Sequence, residues 1–113
     1  MADFDLTMDE LRVVARFAAE SAEEALPDFL SAHPRDDRPR LALDAAWAFV
    51  RGDPRSNRQR VTALEAHRAA KDAVTPAARH AAMAAGDAAA SAYLHPLAKA
   101  TQVGHILRAT AHA

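Results

Sequence analysis

The apolar positions of this chain are filled mostly by alanine, and that limits the fold more than any single motif does. Half of the 113 residues are apolar, yet large apolar side chains are few. Alanine is the best helix former and is depleted in strands. The alanines are phased with leucine and valine at helical spacing, so they read as helix faces and not as low-complexity disorder. No strand-like alternation, hairpin signal or fixed-period repeat occurs. A core built this way is thin and depends on close backbone approach. The expected fold is all-α: one domain over residues 1–113, a compact bundle of about five helices.

Start and stop signals divide the chain. Thr7-Met8-Asp9-Glu10 matches a capping box, with Leu6 placed to pack on Leu11. Leu11, Val14, Ala18, Ala22 and Ala25 then form one stripe, extended by Leu26. This first helix is expected to reach about Ala25, where Pro27 ends its regular course and Phe29 and Leu30 fold back onto the core. A second helix is expected from about Arg38 to Arg51. Pro34 and Pro39 bias His33 and Arg38 away from helix, Asp37 stands at the N-cap, and Pro39 fits the first turn. Leu43, Ala46, Trp47 and Val50 share a face, which predicts a core role for Trp47. Gly52 suits the left-handed position after the last turn, and Pro54 prevents continuation.

Residues 53–57 have turn chemistry. A third helix is expected from about Arg58 to Ala73, anchored by Val61 and Leu64 and closed by Val74. His67 lies on the Leu64 side, as a satisfied core histidine. Thr75-Pro76 starts a fourth helix, running to about Leu94. Ala78, Ala81, Ala82, Ala85, Ala89 and Ala92 give it a smooth ridge, with Met83 as a gap filler. Gly86 costs about 1 kcal/mol relative to alanine mid-helix, and close packing of another helix is the reason to expect it there. A fifth helix is expected from about Leu97 to Thr110, after the break at Pro96.

Composition narrows the function classes. No run is long enough to span a bilayer and no signal peptide is visible, so the expected location is cytoplasmic and no membrane partner is expected. The net charge of −1 gives a nucleic-acid role no global support. Residues 35–60 are locally basic, with seven arginines against four aspartates, but interleaved aromatics for base stacking are absent. With no cysteine, disulfides and thiolate metal sites are excluded. The six histidines show no H-E-x-x-H or Glu-x-x-His spacing, and no two are four apart. The spacing predicts no stoichiometric transition metal and no cofactor. No serine stands in an elbow motif, and no glycine-rich phosphate loop exists. The thin core and the ridge of the fourth helix favour a homodimer.

The chain is organised around residues 33–53, HPRDDRPRLALDAAWAFVRGD. Arg38 and Arg40 sit where the helix dipole prefers acids, while Glu20, Glu23 and Glu24 sit near the end of the first helix, where bases are preferred. A short loop brings the two sets together. Either the arginines pair with those glutamates and fix the hairpin angle, or they recognise an acidic ligand or partner.

The pattern Asp37-Arg38-Pro39-Arg40, Ala46-Trp47 and Arg51-Gly52 resembles a bacterial family of small helical immunity proteins of polymorphic toxin systems. The opening Leu6-Thr7-Met8-Asp9-Glu10-Leu11-Arg12 and the later Ala84-Ala85-Gly86-Asp87-Ala88-Ala89 share the likeness. The resemblance implies an all-helical fold and a non-catalytic role in binding and neutralising a protein toxin. His33, Asp37, Arg38, Arg40 and Trp47 are the candidate binding residues. Two alternatives stand beside it: a protein that binds or sequesters a small molecule in a pocket near Trp47, and a small helical enzyme using histidine and carboxylate groups.

Overall fold

The computed structural model describes residues 7–93. Four α-helices occupy them: α1 (Met8–Ala32), α2 (Arg38–Val50), α3 (Asn57–Asp72) and α4 (Pro76–Ala90), followed by a 3-10 turn, Ser91–Tyr93. No strand is present among the described residues, as an all-α reading requires. The fifth helix, expected at 97–110, lies outside them, as does Leu6.

α4 is the central element and packs against each of the other three helices. Its ridge explains why. Ala78, Ala81, Ala82, Ala85 and Ala89 are fully buried, with Ala92 beyond them. Methyl groups on that face let α1, α2 and α3 approach together, and close contact compensates for the little surface each alanine buries. Because the ridge is covered within one chain, it is not available to pair with a second copy. The larger core side chains come from α1 and α2: Leu26, Phe29, Leu43 and Phe49 are buried.

The caps follow their sequence signals. Thr7 and Glu10 form the capping box, and Thr75 accepts a hydrogen bond from the Ala78 N–H ahead of Pro76. α3 also opens on a capping box, Ser56 with Gln59. The fully buried Gln59 amide reaches on to the Ala45 carbonyl at 3.0 Å, tying α3 to α2. Gly52 adopts φ 112, a left-handed backbone that requires glycine. At this end of α2, Arg12 from α1 donates to the Phe49 carbonyl at 2.9 Å and to those of Gly52 and Asp53 at 3.3 Å. Its guanidinium also lies over the Phe49 ring, 4.8 Å from the centroid. A cation thus satisfies the carbonyls that a helix C-terminus leaves open.

Three expectations need correction. α1 does not stop near Ala25; it continues through Pro27 to Ala32. Pro27 is exposed and Phe29, two residues on, is fully buried, so burial of Phe29 overrides the local breaker. Second, Val61 and Leu64 do not anchor α3: they are 48% and 52% exposed. The buried stripe is Gln59, Ala63, Ala66 and Ala70, with Ala69 beside it. Ala63 and Ala66 cluster with Ala42 of α2 and Ala85 and Ala89 of α4, a gap that fits methyl groups only. Val74 is likewise exposed, at 73%. Third, Trp47 is only half-buried. It packs on the edge of the main core cluster, and its indole N–H donates to Glu23 Oε1 at 2.9 Å, since indole keeps a polar partner wherever its ring goes.

Candidate functional site

Two places among the described residues join ionisable side chains of different elements beside an open depression or cavity. The first is the corner where the α1–α2 loop meets the α3–α4 loop. Asp36 and Arg38 form a two-pronged pair there, Nε to Oδ1 at 2.9 Å and Nη2 to Oδ2 at 2.7 Å. Asp36 Oδ1 also accepts from the Arg38 backbone N–H at 3.1 Å, so Asp36 caps α2. Asp37 occupies the N-cap position without making the capping bond, because its backbone (φ −92, ψ 1) is not the extended conformation that turns a side chain back over the helix. Arg38 Nη2 continues to Asp72 at the end of α3, 3.1 Å away. His33 completes the corner: its Nε2 accepts from the Val74 N–H at 3.1 Å, and its ring packs on Phe29.

The electrostatics follow this geometry. The Arg38 side-chain hydrogen bonds hold the Asp36 carboxyl below the usual carboxylate range, assisted by the Arg38 N–H and the nearby charges of Arg38 and His33, and against the opposing effect of burial. Asp36, then Asp72, push the Arg38 guanidinium further toward its charged form.

The candidate residues therefore separate. His33, Asp37 and Arg38 line one open surface depression together with Pro34, Arg35 and Asp36. Arg40 and Trp47 are not part of it; both turn toward Glu23, Arg40 at 3.9 Å between exposed groups. The expected pairing of Arg38 and Arg40 with the glutamates of α1 holds for Arg40 and Glu23 alone. Glu20 pairs with Arg16, four residues before it, at 3.3 Å, while Arg38 takes Asp36 and Asp72. A carboxylate two residues away reaches Arg38 with no loop to order, and that favours it over one on α1.

The second place lies between α3 and α4. His67 Nε2 is 3.0 Å from Oδ1 of the fully buried Asp87. Gly86 makes the pair possible, because a Cβ there would come within 2.5 Å of the His67 ring and 3.1 Å of the Ala63 carbonyl. This supplies the close packing expected of Gly86, and it gives His67 its polar partner. A cavity of about 440 Å³ opens beside it, walled by His67, Ala70, Lys71, Arg79 and Met83. Trp47 is not among those walls. Sequence reading missed Lys71, Arg79 and the pairing of Asp87. The available signal was the glycine-aspartate pair in a buried alanine ridge: an ionisable residue on such a face needs a partner. Among the described residues no group of three or more His, Asp or Glu is arranged to hold a metal ion, and no helix is long and apolar enough to cross a membrane.

Residues 5–113 match the family described as "Imm-5 like putative immunity protein". The chain belongs to that family. The match extends far beyond the central motif and takes in every described helix. No curated protein and no solved structure matches the chain.

Proposed function

We propose that the chain is an immunity protein that neutralises a protein toxin by direct binding. The observation that carries this reading is the family match over residues 5–113. The contact surface in this proposal is the exposed part of residues 35–58. Arg35, Asp37 and Arg40 offer charges there, and Leu41, 44% exposed, offers an apolar anchor. Two features support it. The Asp36–Arg38–Asp72 pairs and the His33–Val74 bond fix the loop that carries Arg35 and Asp37, so little ordering cost remains on binding. Arginine is also among the residue types enriched at interface anchors. The protein is expected to act in the cytoplasm, by occluding the toxin and not by modifying it.

The test is co-expression with any toxin domain found encoded in the neighbouring genes, scored by growth, together with calorimetry on the purified pair. Protection and stoichiometric binding are expected, and Arg35→Glu with Leu41→Ala should weaken both while leaving the thermal melt unchanged. A neighbouring toxin that neither binds nor is neutralised refutes the reading. Full binding by the double variant moves the interface away from residues 35–58.

A further inference from the structure

We propose that the cavity between α3 and α4 binds a small apolar carboxylate, with its head group between Lys71 and Arg79 and its body over Ala70 and Met83. This activity goes beyond toxin neutralisation and uses none of the surface assigned to it. The volume of about 440 Å³ falls within the range of small-ligand sites. Ala70 and Met83 supply an apolar wall, and methionine adapts to ligands of different shape.

Charge decides the class of ligand. Among the described residues, Lys71 and Arg79 are the lysine and arginine of the lining, and no acidic residue lines the cavity. Neither side chain has a hydrogen bond or ion pair among the described residues. Most other cations of the described residues are engaged: Arg12 on three carbonyls, Arg16, Arg38, Arg40 and Arg68 on carboxylates, and Arg55 and Arg60 on the Tyr93 ring; Arg35, Arg51 and Arg58 stand exposed on the surface, outside this cavity. Asp72, next to Lys71, is held by Arg38. Arg79 lies four residues into α4, at the positive end of the helix dipole, where a cation is unfavourable and an anion is stabilised. A bound carboxylate offsets that repulsion.

The same reasoning sets the orientation. His67 lines the cavity and contacts the fully buried Asp87. A second carboxylate pushed inward would meet this acid in a medium of low dielectric constant. The head group therefore stays at Lys71 and Arg79, and the apolar body points inward.

Octanoate is the probe, with octanol and octylamine as controls of the same chain length. Binding is followed through the Met83 methyl resonance and by calorimetry. Octanoate is expected to shift Met83 saturably. Octanol should bind at least about tenfold more weakly, the loss of one charge-assisted hydrogen bond, and octylamine more weakly still. Lys71→Gln with Arg79→Gln, both at exposed positions, should reduce octanoate affinity to that of octanol and leave the melt unchanged. Met83→Trp, which narrows the apolar wall and keeps both cations, should weaken binding of the octanoate chain. Equal affinities for octanoate and octanol overturn the proposal. So does octanoate binding that survives the glutamine pair, or shifts that fall outside α3 and α4.

Discussion

The corner at His33–Arg38 and the groove between α3 and α4 handle charge in opposite ways. In the corner three polar side chains are satisfied within a few residues or across one loop, Asp36 by Arg38, Arg38 by Asp72 and His33 by the Val74 backbone, while Arg35 and Asp37 face outward. In the groove one pair, His67 and Asp87, is formed across helices, and two cations at the cavity have no hydrogen bond or ion pair among the described residues. The corner carries the most distinctive residues of the chain and uses them to hold itself together. The groove is built from residues that look ordinary in sequence and keeps charge available. A dense motif in a small helical protein can therefore be largely architecture, and charge is also held between helices that look ordinary in sequence.

The largest effect that would separate the two regions is expected from His67→Ala. Breaking a pair whose acid is fully buried should cost about 3 kcal/mol, measured as a fall in the urea midpoint without a change in slope. A loss as small as that from an exposed pair would mean that Asp87 does not depend on His67, and the contrast would collapse.

Next in size is Gly86→Ala, which sharpens the point by changing sign with its background. In the native chain the new methyl must displace His67, and overpacking of about 1–3 kcal/mol outweighs a helix-propensity gain of about 1 kcal/mol. In the His67→Ala background the obstruction is gone, and the same substitution should stabilise. Destabilisation in both backgrounds would place the constraint on the Ala63 carbonyl instead.

The corner should respond more weakly. Arg38→Met with Arg40→Met is expected to cost about 1–2 kcal/mol, nearly all of it from Arg38, because exposed pairs such as Arg40 with Glu23 contribute about 0–1 kcal/mol. Asp36 gives this a pH signature. Its folded carboxyl titrates below its ordinary value of 3.8, so its contribution is present above that pH and is lost as acid carries the pH down through the folded value. Arg38 titrates far above neutrality and adds no dependence in the accessible range. Asp36→Asn should flatten the acid limb of the stability curve, and an unchanged limb would show that the pair is not the cause.

The smallest change expected is from Trp47→Phe, which keeps an aromatic ring at the core edge, though a smaller one, and deletes the indole N–H. With Glu23 half exposed, the loss should be about 0.5–1 kcal/mol. A cost of several kcal/mol would restore Trp47 to the core.

Local chemistry accounts for what was legible in advance. The caps at Thr7 and Thr75, the break at Gly52 and the buried alanine ridge of α4 all depend on residues within a turn or two of one another. The phase of α3 does not. Its sequence offers Val61 and Leu64 as the natural inner face, and only the presence of alanine on the facing helices makes Ala63 and Ala66 the residues that fit. Pro27 failed as a stop for a similar reason, since its exposed position leaves Phe29 free to stay helical and buried. In the site, His33 and Arg38 could be picked out because the motif is contiguous, but their partners could not, since Asp72 and Val74 arrive from another loop. Asp87 and His67 stand twenty positions apart on separate helices, and nothing in the spacing links Lys71 to Arg79.

The way α2 is held has a consequence for motion. One end is fixed by Asp36 and by the Arg38–Asp72 link to α3; the other is fixed by Arg12 reaching across from α1. A helix ordinarily opens from its ends, and its terminal amides exchange with solvent long before its middle does. Here each end can open only if a neighbouring helix lets go. The amides of Leu41 through Arg51 should therefore exchange together, at a rate set by opening of the bundle as a whole. The exposed face of this short helix would then be presented as a rigid surface, even though its residues lie at the edge of the molecule.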